Sequence, residues 1–391
     1  MPITLPSGLL PPVKPLSEEA VLTSGTRVTD FRFDILDREE NHLSTLQGVQ
    51  PGGTLEFTNA TSIKGGGTIT VTDLSERIDG KPIDWLNIRI RPVCLIEGID
   101  REIPLGIWLA SVPSENWSEY GRVWEVELLD KASILDDVWT DPSTGEPDAY
   151  SAVSGANVVS LIRALIEETG ESAAAIVNNS TTLANNMTWD AGSTRLLIIN
   201  ELLEAAGFFS LWVDYEGQFQ VVPYILPADR PPEYVSTGPF ERDSGNSVMS
   251  PDFSVEKDIY TIPNRFIAFS QGDEETPALR AIAVNTDPDS PFSYISRGRW
   301  ITEVASDVET TGQSSLDLYA QRRLITATSK TAKLEVSHAF LPQVQINRTL
   351  RLSNPPADLN MLVSVQKTSI VLDPLAFCTS TLNEVEVISN G

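Results

Sequence analysis

The chain has 391 residues, 41% of them hydrophobic, with 54 acidic against 28 basic side chains and a formal charge of −26 at pH 7. That apolar content supports two to four packed domains and excludes global disorder, while the charge excludes a protein that grips nucleic acid by its phosphates, since that takes a surplus of Lys and Arg to displace counterions. No run of 18 apolar residues occurs, so no membrane-spanning helix is predicted, and the opening MPITLPSGLLPPVKPLSEEA lacks the basic segment and apolar stretch of a secretory signal.

Residues 1–22 read as an extended N-terminal arm, with Pro2, Pro6, Pro11, Pro12 and Pro15 holding it extended or turning. Such a segment is a loose tail in a monomer and can lie along a neighbour in an oligomer. Residues 23–135 read as β. Short alternating segments are predicted at 28–37, 56–58, 68–72, 88–93, 103–109 and 123–129, the pattern of a small barrel or sandwich. Gly52-Gly53 and Gly65-Gly66-Gly67 read as turns. The Gly triplet lacks the GK[ST] ending and following helix of a phosphate cradle, so a hairpin turn is expected there. Cys94 and Cys378 both lie in apolar contexts and read as small buried hydrophobes, with a disulfide between them left open.

Residues 136–230 read as an α/β middle domain. After a polar loop at 139–147, a helix is predicted over 157–169, with Val158, Leu161, Ile162, Leu165 and Ile166 on one face and Gly170 closing it. The stretch from Trp189 to Tyr224 is the most patterned of the chain. Ser193 or Thr194 stands at an N-cap position, Leu196, Leu197, Ile199, Leu202, Leu203 and Ala206 follow at helical spacing, and Gly207 ends the helix. The period then changes to two: Phe209, Leu211 and Val213 alternate with polar or outward positions. Asp214-Tyr215-Glu216-Gly217 is a tight turn, Phe219, Val221 and Val222 return, and Pro223 stops the ladder. Residues 231–263 read as an irregular connection. Residues 264–391 read as a second β region with one helix over 314–328.

The wording of this central unit resembles one family, the hub proteins at the tail tip or baseplate of tailed bacteriophages, of the kind called minor tail proteins in actinobacterial siphophages. Trp189, Asp190, Gly192, Arg195, Leu196, Asn200, Leu202, Leu203, Gly207, Trp212, Asp214, Gly217, Phe219, Pro223 and Tyr224 carry the resemblance. Ile103-Pro104-Leu105-Gly106-Ile107-Trp108, the run from Trp124 to Lys131, and Ile262-Pro263-Asn264-Arg265 extend it to most of the chain. A Gly-Asp pair usual before a late strand is missing, since the matching place reads Val344-Gln345-Ile346-Asn347-Arg348. The resemblance implies an α+β, mainly β fold: two tube-protein-like β-barrels (23–135 and 264–391) bracketing the helix-plus-hairpin domain. It further implies a homotrimeric ring that ends the tail tube, sits in the virion tail tip after assembly in the host cytoplasm, and contacts the tail tube or distal tail protein and other tail-tip proteins. DNA would pass through it without specific binding.

Residues that carry catalysis are not evident. His42 and His338 are the two histidines, and no HExxH, CxxC or G-x-S-x-G occurs. Asp214 and Glu216 form the best apparent carboxylate pair, but a hairpin turn uses Asp to bind its own backbone. No catalytic, cofactor or metal residues are therefore assigned, and a non-enzymatic protein is expected. A carbohydrate-binding adhesin module and a virion-associated cell-wall hydrolase are the competing readings. Three chains would carry 3 × (−26) = −78 formal charges. Acidity on that scale either lines a channel that DNA crosses or keeps a large assembly soluble. Asp30, Asp34, Glu56, Glu125 and Glu127 are the strand residues that are candidates for the wall.

Overall fold

The computed structural model describes residues 21–22, 27–72, 77–78, 81–118, 121–227, 229–230, 248–257, 260–270, 278–306, 308, 310, 312–328, 332–354, 357 and 359–385. The N-terminal region supplies β1 (Thr29–Leu36), β2 (His42–Thr45), β3 (Gly53–Thr58), β4 (Gly65–Val71), β5 (Arg77–Ile78), β6 (Lys81–Pro82), β7 (Arg89–Ile96), β8 (Ile103–Pro104), β9 (Trp108–Ser118) and β10 (Gly121–Asp130). The middle region holds β11 (Tyr150–Ala152), α1 (Val158–Glu167), β12 (Met187–Trp189), α2 (Arg195–Ala205), β13 (Trp212–Val213) and β14 (Phe219–Gln220). The rest holds β15 (Met249–Lys257), β16 (Arg265–Phe269), β17 (Arg280–Val284), α3 (Tyr294–Arg297), β18 (Thr302–Ala305), α4 (Gln313–Thr328), β19 (Ala332–His338), β20 (Thr349–Asn354), β21 (Leu359–Leu372) and β22 (Cys378–Glu384).

The two ends of the chain build one sheet. Its strands run β15-β19-β22-β21-β3-β4-β10-β9-β7-β1-β2, with β20 added on β21 and β8 on β7. The seam is the antiparallel pair β3–β21, in which Leu55 faces Ile370 and Phe57 faces Thr368. Period-two alternation turns one side of every strand inward. Leu55 and Phe57, Ile69 and Val71, Val126 and Leu128, Leu334 and Val336, Ile370 and Leu382 thus share a single contiguous apolar core that crosses the seam. The fold is mainly β, as the alternation implied.

Several expectations are corrected. Gly65, Gly66 and Gly67 lie inside β4, paired to β3 on one side and β10 on the other. A Cβ on Gly67 would sit 2.5 Å from the Thr54 carbonyl oxygen, and one on Gly65 2.7 Å from Asp130 Oδ2. Gly65 and Gly67 thus serve close approach and not a turn, while a Cβ on Gly66 would meet nothing. Within the connection expected to be irregular over 231–263, Met249–Lys257 is an edge strand. It contains Pro251, which has no amide to donate, and an edge position and the register shift between Met249 and Phe253 accommodate it. Most of the N-terminal arm lies outside the described residues; its last two, Val21 and Leu22, are helical and buried. Residues 264–391 do not stay together either. β19–β22 join the large sheet, whereas β17-β16-β18 form a separate three-stranded sheet with its own small core. There Leu316, Ala320 and Leu324 of α4 pack on Phe266, Ala268 and Ala281.

In the middle unit Asn157 caps α1, its side chain accepting from the Ser160 amide, and Gly170 follows at φ 84°. Thr194, not Ser193, caps α2: its hydroxyl accepts from the Leu197 amide at 3.2 Å. The buried face of α2 is Leu196, Ile198, Ile199, Leu202, Leu203 and Ala205, while Leu197, expected inside, faces outward. Truncation of Leu202 or Leu203 to Ala is expected to cost about 2–5 kcal/mol, measured as a lowered midpoint in urea unfolding. Gly67→Val should destabilise at least as clearly, because β3 cannot back away without opening the seam.

Candidate functional site

The hairpin β13–β14 reaches from the middle unit into the large sheet. Asp214 organises its turn: Oδ1 accepts the amides of Glu216 (3.0 Å) and Gln218 (2.9 Å), and Oδ2 accepts Gln220 Nε2 at 2.7 Å. Gly217 closes the turn at φ 78°, and a Cβ there would strike Ile107 at 2.5 Å. The tip is therefore pressed on the β8–β9 corner, where the Gly106 amide donates to the Tyr215 carbonyl at 2.7 Å. Tyr215 is fully inserted. Its ring lies 4.9 Å from that of Phe57, next to the seam, and burial pushes its phenol pKa up.

Beneath the tip sits a buried ionic cluster. The 3₁₀ turn Lys131–Asp136 follows β10 directly, and Lys131 is 2% exposed. Its Nζ donates to Glu40, to the Gly217 carbonyl at 3.2 Å, and pairs with Glu171 Oε2 at 3.3 Å. Arg89 of β7 forks onto Glu171, with one bond at 3.0 Å and a second through Nη2, and also reaches Glu40 at 3.1 Å. Glu40 takes a left-handed φ of 67° to present its carboxylate. Burial alone would raise the Glu171 pKa, but the hydrogen bonds and charge of Arg89, together with Lys131, outweigh it and hold the carboxyl below its usual range. The cluster ties β7, the β1–β2 turn, the segment after α1 and the hairpin to one another.

The residues singled out in the sequence hold the middle unit itself. Trp189 is buried at the end of β12 and donates from Nε1 to Glu201 at 2.6 Å. The Asp190 carbonyl accepts the Ser193 amide, with Gly192 at φ 102° inside that turn, and Asp190 itself is exposed. Arg195 donates to the Val138 carbonyl, and the Asn200 side chain accepts the Leu211 amide at 2.9 Å, fixing helix to hairpin. Leu202 and Leu203 are buried, and Gly207 has φ 74°. Trp212 meets Phe209 edge-on at 5.7 Å, and Phe209 also meets Tyr224 at 4.7 Å. The Tyr224 amide returns to the Gly207 carbonyl, Pro223 bridges Phe208, and Phe219 lies under Lys131 at 5.3 Å. These positions form a folding motif. Sequence reasoning missed Tyr215, Arg89, Glu171, Glu40 and Lys131; the signal available was Arg89 between two buried isoleucines and Lys131 at the end of an apolar strand.

The outward side of the large sheet has a chemistry of its own. Cross-strand rows place Thr54, Thr68, Glu127 and Ser111 side by side, then Thr70, Glu125 and Ser114, then Ser369 and Glu56, then Thr58, Lys367, Thr381 and Glu335. Glu125, Glu127 and Glu335 are exposed. Lys367 is matched by Glu56 at 2.8 Å. The exposed Lys333, opposite Glu256, and Arg351 share this side, so it is hydroxyl-rich with a modest acidic excess that is concentrated on β10. Asp34, expected as one of its charges, is instead buried, held by Arg32 (2.7 Å) and Arg91 (3.0 Å). Burial would raise its pKa, yet those two guanidinium groups keep it low.

Groups with reactive potential are spent inside. Cys94 and Cys378 are free thiols, both buried, with pKa values pushed up to about 12 by burial. His338 is buried against the Ser380 hydroxyl at 2.9 Å, and burial drives its pKa down to about 4. Among the described residues no group of three or more His, Cys, Asp or Glu is arranged to hold a metal ion, and no helix is long and apolar enough to cross a membrane.

No protein-family model matches the sequence, and no curated protein matches it. The fold does match solved structures over nearly its whole length. A 43 kDa tail protein of prophage MuSo2 from Shewanella oneidensis superposes with a TM-score of 0.61 at 11% identity, covering 92% of this chain and 98% of that one. The tail protein of Neisseria meningitidis MC58 does so with 0.59 at 11% identity and the same coverage, 92% and 98%. Prophage tail protein gp18 of Listeria monocytogenes EGD-e gives 0.51 at 11% identity, covering 92% and 95%. At these identities the likeness establishes a shared fold.

Glu171→Gln leaves Arg89 and Lys131 with one carboxylate between them. It should cost roughly 3–5 kcal/mol at pH 7, because a buried charge loses its partner. The Glu171 pKa is depressed in the folded state, so its contribution is full above the ordinary carboxylate range and fades as pH falls through the folded value. Unfolding curves of wild type and variant should therefore converge as the pH is taken below about 4.

Proposed function

We propose that the protein is a structural component of a phage tail tip: a homotrimeric hub of the minor tail protein type found in actinobacterial siphophages. It ends the tail tube, contacts the tube or distal tail protein and other tail-tip proteins, and lets DNA pass. The observation that carries this reading is the β3–β21 seam. It joins the strands of residues 29–130 to β15 and β19–β22 in one sheet, which this reading takes as two tube-like halves side by side, in a fold shared with prophage tail proteins from end to end. Three copies would present six such halves around one axis, the number needed to continue a six-fold tube. The middle unit stands beside them, pinned by Tyr215 and Lys131.

The acidic, hydroxyl-rich side of the sheet suits the inner wall of that ring. Glutamates repel phosphate, and Ser and Thr offer no fixed cation to anchor it. The protein acts without catalysis in this reading and resides in the virion tail. The adhesin reading would need a free aromatic platform. Trp117, 72% exposed, is the leading candidate among the described residues, but Arg122 lies over its ring at 4.7 Å; Trp300, less exposed, stacks on Tyr294 at 4.3 Å and carries Arg265 at 5.0 Å.

Native mass spectrometry and electron microscopy of the full chain, alone and with its tail neighbours, should find ring-shaped trimers. A monomer in every context, the intact virion included, would overturn the proposal. The same preparation should show no salt-sensitive retention of duplex DNA, and measurable binding that weakens with salt would contradict an acidic lumen.

A further inference from the structure

The three-stranded sheet β17-β16-β18 has a buried side, covered by α4, and an open side. On the open side Ile282, Ile267 and Val304 lie in one cross-strand row, flanked by Val284, Arg265 and Thr302 on one side and by Arg280 and Phe269 on the other. Val304 is 56% exposed and Ile282 49%. Arg280 lies over Phe269, and Arg265 over Trp300. Among the described residues the open side carries two arginines and no acid, although acidic residues outnumber basic ones 54 to 28 in the chain. An apolar centre rimmed by Arg and Trp has the make-up of a protein-binding hot spot, and its occupant must be apolar and acidic.

The same chain presents such an element elsewhere. In the turn joining β21 to β22, Asp373 Oδ1 accepts the Leu375 amide at 2.9 Å and its carbonyl accepts the Ala376 amide at 3.1 Å. This ordered turn holds Leu375 93% exposed and Phe377 57% exposed, beside the Asp373 carboxylate. Gln366 of β21 lines the same cleft as Arg322 of α4, and the turn begins six residues further along the strand, about 20 Å at ~3.3 Å per residue. The knob belongs to the large sheet and the open face to the separate three-stranded sheet, and a contact between two such different patches is of the head-to-tail kind that closes into a ring.

We infer that the Leu375–Phe377 turn of one copy docks on the Ile267–Ile282–Val304 face of the next, with Asp373 set against Arg280 or Arg265. This rests on the trimeric reading above and specifies the contact that builds the trimer. Both elements are exposed in the protomer, so substitution there leaves folding intact, which an unchanged unfolding midpoint verifies.

The test is made on full-length rings. Val304→Glu and Leu375→Glu should each weaken ring formation at least tenfold in mass photometry. Arg280→Glu should weaken it, and so should Asp373→Asn, which keeps the Oδ1 acceptor of the turn while removing the charge. For site-specific linkage, Val304→Cys and Leu375→Cys on one chain, treated with a short bismaleimide, should yield covalent dimers and trimers joining the two positions; the native thiols are buried. Leu86→Cys replaces Leu375→Cys as the control, since Leu86 is another exposed apolar residue on an Asp-anchored turn. Rings that survive both Glu variants and link at neither pair, or link through position 86 instead, would overturn the docking while leaving the trimer in place. A failure to find rings in any context would overturn both.

Discussion

The architecture depends on how one hairpin tip is received by the large sheet. Lys131 has three protons to donate, and Glu40, Glu171 and the Gly217 carbonyl take them in a site where Lys131, Arg89 and Glu171 are buried and Glu40 is a quarter exposed. Such a cluster is stable only when every member is matched, so it acts less as a source of net stability than as a constraint on geometry. The hairpin cannot slide without stranding a charge. Tyr215 adds the apolar half of the same constraint by filling the core beside Phe57, where the N- and C-terminal strands meet. The middle unit is thereby oriented against both ends of the chain at once.

The seam explains why so distant parts of the sequence behave as one body. Leu55, Phe57 and Ile370 occupy the same core, and the side-chain-free run Gly65–Gly67 lets β3, β4 and β10 close up next to it. The opposite side of these strands is then free to be polar. Glu125 and Glu127 are exposed there among threonines and serines, which leaves their charge available for function. In the proposed ring, that side is a wall past which a polyanion moves without adhering.

Local features were legible in the sequence because they are set by local physics. The capping of α2 by Thr194, one of the two candidates, the Gly207 helix stop and the Asp214–Gly217 turn need only neighbouring backbone groups, and each stands where the pattern placed it. What was hidden depends on partners distant in sequence. Gly65–Gly67 looks like a turn until β3 and β10 are known to flank it. Asp34 looks like a surface charge until Arg32 and Arg91 enclose it. Arg89 and Glu171 are 82 positions apart, and nothing in either neighbourhood announces the other. The separation of β16–β18 from β19–β22 was equally invisible, since both sets alternate in the same way.

The central claim is that the outward, glutamate-bearing side of the large sheet becomes the inner wall of a ring. A high-resolution electron-microscopy reconstruction of the assembled protein, in the isolated ring or in the virion tail tip, tests it most directly. The account predicts Glu125, Glu127 and Glu56 lining a central opening, with the three-stranded sheet at the contacts between copies. An opening lined mainly by Lys and Arg, or a reconstruction with these glutamates on the outer surface, would contradict it.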